Sequence, residues 1–498
     1  MKKQAFVSFL LAASVAQSSL AAAPLMSPAA GSDAIRAART QVEIDTLRFD
    51  YRIEIRTTGK ADTGDSGGVT VADDFVAVSN KSATRLDDYR LCRTLSWSPG
   101  GPMANQSCYA GPAFRQQELA NRRGLRAMLE DAARRSKGAT VPPSLQNPYW
   151  AEQELAVAEP TSEPLAPTKS ADGIVWRLGK DIVVRTSLTG HPFTASERPR
   201  IARYLARHVD LHPQVRRAIL NAGQLPDQIE IVRHFDQDLD RETLHFSNFR
   251  RERVVYPLPS GLESAVMARS SRNSIEAMGL KRVLAVIASK GSDAPPSMEA
   301  MIAQLKAASA ANQPLVMMMI FLNMTQQYGD ELLNDPASKA MFSAVRPDVQ
   351  RAMANPLAIE LMDANSVAGE RTPGRDRASV ARYWASGERF DALPFGTFRF
   401  LAYANLVRRS GDTSGWDPLI AKSMPAITDC YWKHIASYPW AGNAFKDLGD
   451  SYLQEFDTAN AWLAWDLGRL VDQRSQPSLL SQVDSYEQHL RRTMPDSF

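Results

Sequence analysis

The chain lacks a strong excess of charge of either sign. Its 58 Lys and Arg residues against 55 Asp and Glu residues give a formal net charge of +3. Removing the two positive charges of Lys2 and Lys3, at the very start of the chain, leaves +1. A charge this small provides no broad basic field for nucleic acid or for an anionic membrane. We therefore expect no nucleic-acid partner.

Long hydrophobic runs and phosphate-binding loops are scarce too. The apolar run Leu315–Leu322 is far shorter than the roughly 20 residues that cross a bilayer, so it predicts a buried helix. No segment matches GxxxxGK[ST], and no GxGxxG segment opens a helix. We expect no cofactor, and no membrane-spanning segment after the first 23 residues.

The catalytic sets of two protease classes are incomplete. Gly64–Gly68 reads Gly-Asp-Ser-Gly-Gly, the residues around the nucleophilic serine of chymotrypsin-like proteases, where a His precedes the serine. The first histidine of this chain is His191. Asp62 begins an aspartic-protease triplet, Asp-Thr-Gly, of which no second copy occurs. These residue types are also typical of hairpin loops, and we predict a turn over Gly59–Gly68.

The first 23 residues have the pattern of a secretory signal peptide. The basic start Met1–Gln4 is followed by the apolar stretch Ala5–Ala16 and by the small residues of Ser19–Ala23. Cleavage there predicts a periplasmic or secreted protein. Since no cysteine lies near the cleavage position, we expect no lipid anchor.

The three cysteines all lie in the predicted mature chain. Cys92 and Cys108 are 16 residues apart and flank a Pro/Gly-rich turn. In an oxidising compartment we expect them to form a disulfide worth about 3 kcal/mol. Cys430 lies outside this predicted disulfide and is interpreted as a thiol of the core.

The fold class follows from a change of periodicity along the chain. Residues 47–55 alternate between apolar and charged side chains, which predicts a half-buried strand. Tyr89–Trp97 predicts another strand, and Gly173–Thr186 predicts a tight hairpin around Gly179-Lys180. From Leu262 onward the strand signals vanish and helical patterns follow one another across short breaks. We predict an α+β region of antiparallel strands with helices, followed by an all-helical region of helical hairpins resembling a solenoid.

The same patterns predict domain boundaries. Their order is a signal peptide (1–23), an α+β module (41–140), a linker or long loop (141–170), a second small α+β module (171–260) and an all-helical domain (261–498).

One helical segment, about residues 441–474, carries a family resemblance. Its large and small residues follow a fixed spacing: Phe445, Leu448, Gly449, Tyr452, Ala461, Trp465 and Gly468. This spacing resembles the tetratricopeptide repeat, a 34-residue helical hairpin. Gly468 stands where that family has Ala, the closing Pro is missing, and no second copy follows at a fixed period. The resemblance implies a packing scaffold of the kind that binds other proteins.

Two groups of residues are candidates for a functional site. His234, Asp236 and His245 could supply a mixed metal or catalytic site, with a charged turn between two strands as the alternative. The aromatic residues Trp440, Tyr452, Trp462 and Trp465 could line a binding groove or pack in a core. No metal is predicted with certainty.

No complete nucleophile–base or metal set emerges, which favours binding over catalysis. We therefore predict an exported protein-binding scaffold or accessory factor of the cell envelope, with another protein or an envelope component as its partner. The alternatives are a secreted or periplasmic hydrolase, metal-dependent or not, and an immunity-type protein that protects the envelope.

Overall fold

The computed structural model describes most of the 498-residue chain. The described residues are 39–101, 103–136, 141, 165–235, 238–258, 273–289, 294–356, 358, 426–440, 442–471 and 477–498. The predicted signal peptide, Asp236 and most of the predicted linker lie outside these ranges. Among the described helices, none has both the length and the apolar character needed to cross a bilayer.

Thirteen strands are described between residues 43 and 255. They are β1 Glu43–Thr57, β2 Thr63–Val71, β3 Phe75–Asn80, β4 Thr84–Asp88, β5 Arg93–Trp97, β6 Ala104–Ser107, β7 Ala166–Ser170, β8 Gly173–Leu178, β9 Asp181–Thr186, β10 Gly190–Pro192, β11 Gln224–Pro226, β12 Gln228–Phe235 and β13 Asp238–Val255. Eleven of them form one antiparallel sheet in the order β6-β5-β4-β3-β2-β1-β13-β12-β9-β8-β7, and β10 pairs with β11.

Apart from β10 and β11, the strands of both predicted α+β modules belong to this one sheet, together with β7 at the end of the predicted linker. Its central ladder joins β1 to β13, with Glu43 opposite Val255 and Thr57 opposite Asp240. The predicted boundary at 141–170 therefore separates two halves of one sheet. The predicted hairpin is confirmed: β8 and β9 pair across Gly179, which has a positive φ of 57°.

Two local predictions in the first half were wrong. Gly64–Gly68, predicted as part of a turn, lies inside β2, because pairing with both β1 and β3 satisfies its backbone. The predicted strand from Tyr89 to Trp97 is a turn followed by β5, and Cys92 in that turn has a positive φ of 50°. The predicted disulfide is confirmed, since Cys92 is bonded to Cys108.

Two helices cover one face of the sheet. They are α2, Arg198–His208, and α3, Pro213–Ala222, which follow the long α1, Ala110–Arg135. His212 caps α3 by accepting a hydrogen bond from the Gln214 amide. Apolar residues of both helices pack on Leu47, Phe49 and Val69 and their neighbours in one buried cluster.

The remaining described helices carry the second half of the chain. They are α4 Ser274–Ala288, α5 Met298–Ala310, α6 Pro314–Asn334, α7 Pro336–Met353, α8 Ile427–Ser437, α9 Gly442–Gln454, α10 Thr458–Val471 and α11 Pro477–Thr493, with a 3₁₀ turn at Pro495–Ser497. This confirms the predicted fold class of an α+β region followed by a helical region. One core joins α4 and α8–α11 to α1, and another joins α5, α6 and α7.

The segment with the repeat-like spacing forms the helical pair α9 and α10. Gly449 lies against the Trp465 ring, where a Cβ would collide with its Nε1 atom. That Nε1 donates a hydrogen bond to the Lys446 carbonyl at 3.1 Å. Gly468 lies similarly close to Phe445. The small residues therefore allow close approach of the two helices, and membership of the repeat family stays a prediction.

Candidate functional site

The two faces of β1 have opposite characters. Leu47, Phe49 and Tyr51 are buried under the helices. The residues between them point to the other face of the sheet, because side chains alternate along a strand. Toward β5 that other face is covered, since Phe75 packs at 5.5 Å between ring centroids against the buried Tyr256. Along β1 and β13 it carries partly or fully exposed polar side chains.

The register of the central ladder places cations directly opposite one another on this face. Arg48 is opposite Arg250, and Arg56 is opposite Arg241. His245 is opposite Arg52 between these two pairs. Like charges facing each other across two strands destabilise a sheet. Such an arrangement therefore requires carboxylates nearby.

Three glutamates each lie between two arginines on this face. Glu252 accepts a hydrogen bond from Arg48 at 2.9 Å and lies 3.4 Å from Arg250. Glu54 lies 3.0 Å from Arg52 and 3.5 Å from Arg56, and His245 is 3.9 Å away.

Glu230, on the neighbouring strand, lies 3.2 Å from Arg185 and 3.8 Å from Arg241. The three carboxylates thus form three ion-pair groups with arginines of β1, β13 and β9, side by side on one face of the sheet. We call this surface the arginine face, defined by Arg48, Arg52, Arg56, Arg185, Arg241 and Arg250 with Glu54, Glu230 and Glu252.

The guanidinium groups form the outer layer of the arginine face. The six arginine side chains are 41–64% exposed, whereas the three glutamates are 15–31% exposed. Each guanidinium has five N–H donors, and the ion pairs use only some of them. Counting Asp50 and Asp62, six guanidinium groups lie among five carboxylates on or beside this face. The face therefore directs unused donors and a local positive excess toward solvent, although Asp62 pairs with Arg56 at one end.

A recess of about 460 Å³ lies beside the arginine face. It is lined by Asp50, Tyr51, Ser66, Gly67, Ser79, Asn80 and Lys81. Gly64, Ser66 and Gly68 have small side chains or none. The surface of β2 is therefore recessed beside Arg52, which pairs with Ser66. Ser66 and Gly67 of the Gly-Asp-Ser-Gly-Gly motif thus form the floor of an open depression.

Asp65 joins the strands on either side of this floor. Its carboxylate accepts hydrogen bonds from Asn80 Nδ2 at 2.7 Å and from the Tyr51 hydroxyl at 3.4 Å. Burial, followed by the charge and hydrogen bond of Asp65, raises the pKa of Tyr51 to about 12. Gly67 is required between them, because a Cβ there would collide with the Ser79 carbonyl. Asp65 therefore stabilises the recess from below.

A second polar cluster is buried between the sheet and α2. His208 Nε2 lies 2.7 Å from one Asp87 oxygen, and Thr94 donates to the other at 2.6 Å. Arg85 and Arg207 lie 3.3 Å and 3.6 Å from the same carboxylate. The only hydroxyl with a hydrogen bond to this carboxylate, among the described residues, thus belongs to Thr94.

The electrostatics of this cluster favour a fixed ion network. Burial alone would raise the pKa of Asp87, but His208 and the two arginines outweigh it and hold that pKa far below its usual range. Burial lowers the pKa of His208, which favours the neutral ring. Arg207 also donates to the carbonyls of Ser497 and Cys108. The cluster therefore ties the sheet to the end of the helical region.

The structure does not bring the predicted metal candidates together. On the β12–β13 hairpin the backbone of His234 pairs with Leu239, whereas His245 pairs with Gln228. Six residues of strand separate the two pairs, which corresponds to roughly 20 Å. His234 and His245 therefore cannot bind one ion, and Asp236 lies outside the described residues. No metal-binding cluster of His, Cys, Asp and Glu occurs in the described part of the chain.

The predicted aromatic groove is not found at the surface. Tyr452, Trp462 and Trp465 are at most 2% exposed and belong to the helical core. Trp440 is partly exposed, with Arg282 over its ring at 5.8 Å. Three of the four rings thus serve packing, as the alternative interpretation held.

Sequence reasoning missed the arginine face. The alternating charges of β1 and the cluster Arg250, Arg251 and Arg253 are visible in the sequence, but each is typical of a solvated surface. The four-residue spacing of Arg48, Arg52 and Arg56 along one strand was the available signal.

No family model matches this chain, and no curated protein matches it.

Proposed function

We propose that this chain is an exported accessory protein of the cell envelope that binds an anionic envelope component through the arginine face. The observation that carries the proposal is the layering of that face, with exposed guanidinium groups above recessed carboxylates. Guanidinium forks suit carboxylate and phosphate groups, because two parallel N–H donors can meet two oxygens.

The proposal favours binding over hydrolysis for a chemical reason. A nucleophile–base pair needs a hydroxyl or thiol within hydrogen-bond reach of the base. In the Asp87–His208 pair the hydroxyl of Thr94 donates to Asp87. The same proposal includes a protein partner that binds the α9–α10 pair, which resembles a tetratricopeptide unit.

The test is binding of the purified chain to its own envelope fraction. The variant Arg52→Ser/Arg241→Ser removes two exposed guanidinium groups, and Arg134→Ser/Arg135→Ser on α1 is the matched control with equal charge loss. Loss of one charge-assisted contact of about 1.4 kcal/mol corresponds to a tenfold weaker affinity. We expect at least this loss for the first variant, no comparable loss for the control, and weaker wild-type binding at high salt.

Two results would count against the proposal. Equal binding by both double variants would show that the arginine face is not the contact. Hydrolysis of an envelope component that needs His208 would favour the enzyme alternative. Export is tested separately, by following the release of the processed chain on osmotic shock.

A further inference from the structure

We infer that the anionic partner is an acidic saccharide, with a sugar ring in the recess on β2 and its acidic groups on the arginine face. This inference rests on the proposed function and adds the chemical class of the ligand. It follows from the polar groups that line the recess, from its position beside the arginine face, and from the other classes of anionic partner that these surroundings disfavour.

The recess offers both acceptors and donors to a polyhydroxyl ligand. Asp50 accepts from Asn248 Nδ2 at 2.7 Å through Oδ2. Among the described residues, Asp50 Oδ1, the Ser66 hydroxyl and the Lys81 ammonium make no hydrogen bond. A carboxylate accepts from sugar hydroxyls, a serine does both, and an ammonium donates to a hydroxyl or an acidic group.

The position of the recess connects it to the arginine face. Ser66 on the recess floor is directly opposite Arg52, and Gly68 is directly opposite Asp50. A ring above Ser66 would therefore lie one strand spacing, about 5 Å, from the backbone that carries Arg52. Ser66 and Lys81 are exposed, so the recess is open. An open site of this kind suits one unit of a longer chain.

The surroundings disfavour the other anionic partners. The large exposed apolar side chains among the described residues are Val42, Phe114, Leu125, Met128, Leu188, Val255 and Met278. None of them lines the recess or belongs to the arginine face. Protein interfaces rely on aromatic and apolar anchors, and surface insertion into lipid requires apolar side chains. The Asp50 carboxylate disfavours a densely charged polyphosphate, whereas it accepts hydrogen bonds from hydroxyl groups.

One glycine permits a specific test of the recess. A Cβ at Gly68 would have Asp50 Oδ1 as its nearest neighbour, at 3.9 Å, which is an ordinary contact. Gly68→Val therefore places an apolar side chain against Asp50, at the edge of the recess, without a backbone clash. Thr70→Val, on the same face of β2, is the matched control, because it adds a valine of similar shape outside the recess. Circular dichroism and the denaturation midpoint establish that both variants fold.

The experiment measures binding of three polymers to the full chain by calorimetry. The probes are polygalacturonate, which has hydroxyls and carboxylates, polyglutamate, which has carboxylates but no hydroxyls, and dextran, which has hydroxyls but no carboxylates. We expect polygalacturonate to bind about tenfold more tightly than polyglutamate per charge, and dextran more weakly than either. Gly68→Val should remove this preference and leave polyglutamate binding unchanged, whereas Thr70→Val should alter neither.

Each other outcome has one meaning. Equal affinity for both polyanions, unaffected by Gly68→Val, overturns the saccharide and leaves the proposed function standing. Binding of neither polyanion removes both. Dextran binding as tight as that of polygalacturonate overturns the role of the acidic groups.

Discussion

Replacing Asp87 by Ala should destabilise the protein by about 3 kcal/mol, because it leaves the buried Arg207 guanidinium without its carboxylate. The Asp87 and Arg207 side chains are only 2% and 4% exposed. Breaking a buried pair from one side costs about 3–5 kcal/mol. Since Arg207 keeps its hydrogen bonds to Ser497 and Cys108, the lower end of that range applies. A loss of about 3 kcal/mol lowers the folding equilibrium constant roughly 150-fold.

The same strand region offers a matched control. Asp73 accepts two hydrogen bonds from Arg200, at 2.7 Å and 3.0 Å, and its side chain is 76% exposed. An exposed ion pair contributes about 1 kcal/mol or less. Asp73→Ala should therefore cost less than about 1 kcal/mol, although its ion pair has the better geometry.

Urea denaturation followed by tryptophan fluorescence measures both variants. With a slope of about 3 kcal/mol per molar urea, the midpoint should fall by about 1 M for Asp87→Ala and by about 0.3 M or less for Asp73→Ala. Equal shifts for the two variants would refute the argument that burial decides the cost. Asp87→Asn, which keeps the volume and removes the charge, should lie between them.

Three further results are expected. Because burial lowers the folded pKa of His208, the unfolded chain binds more protons below pH of about 6.5, so the free energy of unfolding should fall on acidification there. Denaturation midpoints measured from pH 5 to 8 should depend less on pH for His208→Gln than for the wild type, and an unchanged pH dependence contradicts this. Gly449→Ala should destabilise the protein by about 1–3 kcal/mol, because its Cβ collides with Trp465, whereas Gly124→Ala, whose Cβ has no neighbour within 4 Å, should stabilise it by about 0.5–1 kcal/mol. Thermal denaturation measures both variants, and a Gly449→Ala variant as stable as the wild type would refute the close packing of Gly449 on Trp465. The unfolded, non-reduced chain should react with thiol reagent at Cys430 alone, and at three cysteines after reduction.

The sequence correctly predicted those elements whose local residue pattern matches their surroundings in the fold. Strand β1 is amphipathic because one face contacts α2 and the other faces solvent, so its alternation is visible in the sequence. The hairpin of β8 and β9 follows from Gly179 and its positive φ. Gly64–Gly68 has poor strand propensity, and tertiary pairing with β1 and β3 overrides it.

The site depended on information that no local window contains. Arg48 and Glu252 are 204 residues apart in sequence and 2.9 Å apart in space. A one-residue slip of β13 would turn its arginines to the opposite face of the sheet. Asp87 and His208 are likewise joined only by the packing of α2 on β4. The sequence therefore shows which residues are charged, and only the register shows which of them meet.

The pairing of β1 with β13 also sets the order in which the sheet can be completed during synthesis. Among the described strands, β1 is made first and β13 last, so one side of β1 has no partner until about 200 further residues have been added. A strand with an unpaired edge is a template for association with other chains. Contacts so distant in sequence also slow folding. A fragment ending at residue 235 would leave that edge of β1 permanently unpaired. Binding of another molecule to the unpaired edge until β13 has been made would suppress aggregation of the nascent chain.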